Sequence, residues 1–175
     1  MKRIVLSALL ASALFATGCG EAPGGGEGGD VGFELYVSRA VIEEVGAFQL
    51  SLRKKGSGSN ACTGLTQGCL RDQLDSLNEL VSFTNSEGRD ARAMRVSVSL
   101  TTEGEFQTQD VVMRDVPVGR DYGLVVEALS KSDPPQLLAI SCRPNVEVRR
   151  ENTLILAQPL DLPEGGPVAC DPRID

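Results

Sequence analysis

Cysteine and carboxylate are the two reactive side chains this sequence supplies in number, because histidine is absent from it altogether. Without histidine there is no ordinary general base near neutral pH, no Ser-His-Asp arrangement and almost none of the common zinc sites. No GxSxG turn, phosphate-cradling glycine loop or calcium-loop spacing occurs. The 24 acidic residues could supply a carboxylate pair for hydrolysis, but spacing singles out no such pair. No catalytic residue, metal ligand or cofactor site is therefore assigned, and a small carboxylate-dependent hydrolase is the alternative reading only. Five cysteines remain, and their settings differ: Cys19 stands apart from Cys62, Cys69, Cys142 and Cys170.

Cys19 follows a basic start, Lys2-Arg3, and an uncharged apolar run, "IVLSALLASALF", at residues 4–15. Charge followed by a short apolar core is the pattern of an export signal. As a helix that run would span about 18 Å, well short of a ~30 Å hydrocarbon layer. Small residues then lead into the cysteine, and "FATGC" resembles the lipobox of bacterial lipoproteins, with Ala16 where leucine is usual. The resemblance implies a diacylglyceryl thioether on Cys19, cleavage after Gly18, and palmitate-type acylation of the new amino terminus. Two or more acyl chains give stable attachment where one holds only marginally. Gly20 occupies the position where aspartate commonly signals inner-membrane retention, so the resemblance implies the outer membrane, on its periplasmic or surface face. "GEAPGGGEGG", at residues 20–29, is too rich in glycine to fold and reads as a tether of roughly 17 Å. The expected organisation is thus a leader at 1–18, an anchor and tether at 19–29, and one domain at 30–175.

The other four cysteines are an even number, which suits an exported protein in an oxidising compartment. Three pairings are possible. Proximity in sequence favours Cys62–Cys69, closing "CTGLTQGC", with Cys142–Cys170 tying the carboxyl-terminal segment to a strand. Loop entropy assigns these about 2.5 and about 3.6 kcal/mol. No CxxC pair supports metal binding instead.

The elements that must position these residues read as strands. Phe33, Leu35 and Val37 alternate with polar neighbours, as do Phe48, Leu50 and Leu52 with Gln49, Ser51 and Arg53. "MRVSVSLT" sets Met94, Val96, Val98 and Leu100 opposite Arg95, Ser97, Ser99 and Thr101, the signature of one buried and one wet face. "YGLVVEAL", residues 122–129, is apolar on nearly both faces and predicts a central strand. After the turn at Asp133, Pro134 and Pro135 comes "QLLAISC". Val146 with Val148, and Leu154 with Leu156, then predict two more short strands around a turn at Arg149 and Arg150. Leu70, Leu74, Leu77 and Leu80 or Val81 recur at helical spacing and predict a short amphipathic helix over one end. The pattern predicts an all-β, antiparallel sandwich of about seven strands with one short helix.

"RDVPVGRDYGLVVEAL", residues 114–129, resembles the Val-Pro-x-Gly-x-Tyr turn of transthyretin-like and carboxypeptidase-regulatory-like domains, and the likeness extends over residues 93–160. It implies an Ig-like or transthyretin-like sandwich that is mostly non-catalytic in function. On physical grounds Pro117 fixes φ, Gly119 can take a positive φ, and the chain can reverse there. The Tyr122 hydroxyl can then reach back to a backbone carbonyl across the corner, or the ring can be a plain cross-strand aromatic.

Charge narrows the partners. Loss of Lys2 and Arg3 with the leader takes the formal net charge from −7 to −9, which opposes nucleic acid and anionic headgroups. Arg89, Arg92 and Arg95, and the acids Glu43, Glu44, Asp72, Asp75 and Glu79, read as solvated surface without calcium-ligand spacing. With no Trp and only Tyr36 and Tyr122, no aromatic sugar platform is on offer. The expected role is a lipid-anchored, non-enzymatic binding or structural module whose partner is an envelope protein or an extracellular polymer.

Overall fold

The computed structural model describes residues 28–37, 44–54, 60–98, 111–151, 153–160 and 168–174; the leader and Cys19 lie outside these. Nine strands occur among the described residues: β1 (Gly28–Val37), β2 (Val45–Arg53), β3 (Phe83–Thr84), β4 (Asp90–Ala91), β5 (Met94–Ser97), β6 (Val111–Pro117), β7 (Gly119–Ser130), β8 (Leu137–Val148) and β9 (Thr153–Leu160). They form two sheets, ordered β4-β3-β6-β1-β9 and β5-β2-β7-β8. The molecule is an all-β sandwich. Pairing is antiparallel except between β1 and β9, which run parallel.

The main core fills the space between the sheets. Phe48, Leu50 and Leu52 of β2 and Leu124, Val126 and Ala128 of β7 point into it from one sheet. Val31, Phe33, Val111, Met113 and Val116 meet them from the other. The five-stranded sheet begins earlier than the glycine content suggests, because Gly28 and Gly29 pair with Pro117 and Val116. The close approach requires glycine there: a Cβ on Gly29 would collide with the Arg149 carbonyl, and one on Gly28 would lie 2.5 Å from the Asp115 backbone.

Three expectations are corrected. "QLLAISC" and Val146-Val148 belong to one strand, β8, which runs on through Pro144. A proline is tolerated because β8 is an edge strand, where a missing N–H need break no ladder bond. The leucine-rich segment is no α-helix but two 3₁₀ turns, Leu70–Gln73 and Leu77–Glu79, with an extended residue capping each. Leu70 and Leu80 are buried while Leu77 is exposed, so the leucines serve a winding chain and not one helical face.

The third correction concerns β2. Its polar residues, Gln49, Ser51 and Arg53, are 3%, 1% and 3% exposed, as hidden as the apolar ones between them. Residues 60–80 and 168–174 lie across the outer face of the four-stranded sheet and cover them. This outer layer has its own apolar contacts, with Leu70 and Leu80 packed on Val125, and Cys69 packed with Leu129 and Leu137. Among the described residues, the sandwich therefore has a third, irregular layer over its four-stranded sheet.

Candidate functional site

The outer layer brings together Cys62, Cys69, Cys142 and Cys170, two buried charges and a groove. Two disulfides hold it: Cys62–Cys142 and Cys69–Cys170, with Cα atoms 5.7 and 5.9 Å apart. The local pairing read from sequence is overturned. Residues 60–70 run across the sheet instead of closing on themselves, so Cys62 meets β8 and Cys69 meets the carboxyl-terminal segment. Gly123 leaves the room, since a Cβ on it would lie 2.9 Å from that of Ala61 and 3.2 Å from the Cys142 sulfur. The bridges span 80 and 101 residues, for which loop entropy gives about 4–5 kcal/mol taken singly. The Asp72 carboxylate lies within 4.8 Å of the Cys69 and Cys170 sulfurs, but these are bonded to each other and carry no thiolate.

Beneath the layer, Gln49 and Glu127 stand opposite one another on β2 and β7. Gln49 Nε2 donates to Glu127 Oε2 at 2.8 Å and to the Pro172 carbonyl at 2.6 Å, while its Oε1 accepts from Arg95 Nη2 at 3.3 Å. The other Glu127 oxygen accepts from the Leu70 N–H at 2.8 Å. The buried Gln49–Glu127 pair thus connects the sheet, the 3₁₀ turn and the tail: Glu127 holds the turn and Gln49 holds the tail. Glu127 is 1% exposed, and its burial raises its pKa against the opposing pull of the Leu70 and Gln49 hydrogen bonds and of Arg95. Both its oxygens already hold structural donors.

Arg53 makes a second buried link. Its Nε and Nη2 donate to Glu79 Oε2 at 2.9 and 2.7 Å, and its Nη1 donates to the Ala61 carbonyl at 3.2 Å. Burial of Glu79 opposes ionisation, yet the Arg53 guanidinium and the nearby backbone N–H donors outweigh it and lower the pKa. At the surface, Asp171 bonds both Arg173 and Arg71, and Arg173 in first place holds its carboxyl well below the usual range.

No family model, curated protein or solved structure matches this chain.

The turn at Pro117, Gly119 and Tyr122 lies elsewhere. It is a crossing between the sheets, since Pro117 ends β6 on Gly28 and Gly119 begins β7 opposite Val148. Tyr122 is buried in the main core, its hydroxyl donating to the Pro117 carbonyl at 3.2 Å. Burial raises its pKa. Positive φ occurs at Asp115 and Asp121, not at Gly119, contrary to the sequence expectation. Gly119 is required by space, because a Cβ there would sit 2.5 Å from the Tyr122 hydroxyl oxygen.

Sequence reasoning missed Gln49, Arg53 and Glu127. Glu127 carried a signal: one charge inside the otherwise apolar "GLVVEAL" cannot be buried without partners. Of the arginines read as surface, Arg89 is exposed and bonded to Glu87, and Arg95 faces the groove described below.

Proposed function

We propose that this chain is an exported lipoprotein, acylated at Cys19 and held at the outer membrane. Its transthyretin-like sandwich would serve as a non-enzymatic binding or structural module for an envelope protein or extracellular polymer. The observation that carries the reading is the cysteine pairing. The other four cysteines close on one another in two disulfides, which suits an oxidising compartment and leaves none of them for Cys19. The position of β1 adds mechanical sense. Eight residues separate Cys19 from Gly28, a reach of about 16 Å, and the strand they enter is flanked by β6 and β9. A pull from the membrane would load a strand bonded on both sides. The buried polar groups favour a module over a hydrolase, since Glu127, Gln49 and Arg53 hold the outer layer to the sheet.

Replacing Cys19 by serine should abolish incorporation of labelled palmitate and release the protein from the membrane fraction. Equal labelling and equal membrane recovery of the variant would refute the anchor.

A further inference from the structure

A groove of about 520 Å³ opens where β5, the β7–β8 turn and residues 170–173 meet. That volume falls in the range of small-molecule sites, roughly 300–1,000 Å³. Its apolar walls are Pro134, Pro135 and Pro172, rings with little freedom to lose when a ligand arrives. Cys170, also in the wall, ties the tail to Cys69. The shape is fixed beforehand.

The charges that line it are unevenly matched. Asp171 and Arg173 bond each other. Arg95 makes no ion pair at contact distance with a carboxylate among the described residues, although the chain carries more acids than bases and its charge is felt at Glu127; its hydrogen bond goes to Gln49 Oε1. Gln49 is buried and fixed through both amide hydrogens, so the guanidinium is oriented from behind. Glu127, deeper still, has its oxygens on Gln49 and Leu70 and does not occupy the guanidinium fork. Asp133, which also lines the groove, has no side-chain hydrogen bond or ion pair among the described residues.

We propose that this groove binds a small zwitterion of amino-acid or dipeptide size, its carboxylate on Arg95 and its ammonium on Asp133. Guanidinium and carboxylate match as two parallel N–H···O bonds, and the proline rings receive the ligand's apolar body. The proposal rests on the binding-module reading and gives it a site and a ligand class.

The test is a titration of the full-length mature protein, purified with its anchor in detergent, followed by amide chemical shifts. The probes are L-alanyl-L-alanine, its N-acetyl derivative and its C-terminal amide. The free dipeptide should bind saturably, and amidation or acetylation should each weaken it at least tenfold. Arg95→Gln should lose the distinction between acid and amide, and Asp133→Asn that between free and acetylated amine. Absence of saturation up to about 20 mM, or unchanged affinities in a folded Arg95→Gln protein, would overturn the proposal. Should Arg95→Gln fail to fold, Asp133→Asn on its exposed turn decides alone, and unchanged preference there overturns the site. Palmitate labelling separates the two readings: a labelled protein that ignores the dipeptide sinks the groove alone, and an unlabelled one that binds it sinks the anchor alone.

Discussion

At the scale of single residues, Gly119 and Tyr122 form one unit, and their contact makes a sharp prediction. The Tyr122 hydroxyl bonds the Pro117 carbonyl, and its ring fills the space a Gly119 side chain would need. Tyr122→Phe should cost about 0.5–1.5 kcal/mol through the lost hydrogen bond. Gly119→Ala should cost about 1–3 kcal/mol through overpacking, because the new methyl would meet the hydroxyl and ring carbons of Tyr122, which must shift to admit it. The two effects should not add. Removing the hydroxyl takes away the closest contact, so Gly119→Ala should be milder by about 0.5 kcal/mol or more when combined with Tyr122→Phe. Denaturant melts of the parent, the two single variants and the double variant would check this, and strict additivity would mean that the glycine and the ring do not meet.

Among elements, the outer layer shows where sequence stops informing. The inner face of β2 was legible because Phe48, Leu50 and Leu52 repeat every second residue. Its outer face was not, since Gln49, Ser51 and Arg53 write the same alternation whether they meet water or a polar cover. The cover comes from residues 60–80 and 168–174, and period-two reasoning has no access to pairings across 80 or 101 residues. Helical spacing misled for a related reason: leucines that follow the relief of a sheet can fall at intervals of three and four without any helix. The crossing at Pro117 was legible as a corner, but the role of its glycine was not, because steric exclusion by Tyr122 leaves no mark on local sequence. From the disulfides a prediction follows at this scale. Non-reducing peptide mapping should join Cys62 to Cys142 and Cys69 to Cys170. Replacing Cys69 and Cys170 together by serine should raise amide exchange in residues 69–80 and 168–174 while the strands facing the main core keep their protection. Uniform loss of protection would show instead that the layer and the sandwich unfold as one unit.

For the whole molecule, two carboxylates at the outer layer, buried Glu127 and half-buried Glu79, bias how stability responds to pH in opposite senses. Glu127 has a folded pKa above its unfolded one, so ionising it costs stability. As pH falls through that raised value toward about 4.3, the folded state takes up the proton first and gains. Glu79 has a folded pKa below its unfolded one, so its contribution is complete above about 4.3 and is lost as pH falls through the lowered value. Acidification from neutrality should therefore leave stability level or slightly raised before it declines. The Arg53–Glu79 link isolates the second limb. Arg53 is 3% exposed, and Glu79→Gln would leave its guanidinium with the Ala61 and Thr63 carbonyls and a neutral amide. The variant should lose about 1.5–3 kcal/mol at pH 7, the worth of hydrogen bonds to a charged partner. That deficit should shrink below about pH 4.3, where the parent begins to lose the same carboxylate charge. Urea melts of parent and variant between pH 3 and pH 7 measure it directly. A deficit that stays constant across the range would mean the ion pair does not hold the outer layer to the sheet, and that apolar packing of Leu70 and Leu80 on Val125 does so without it.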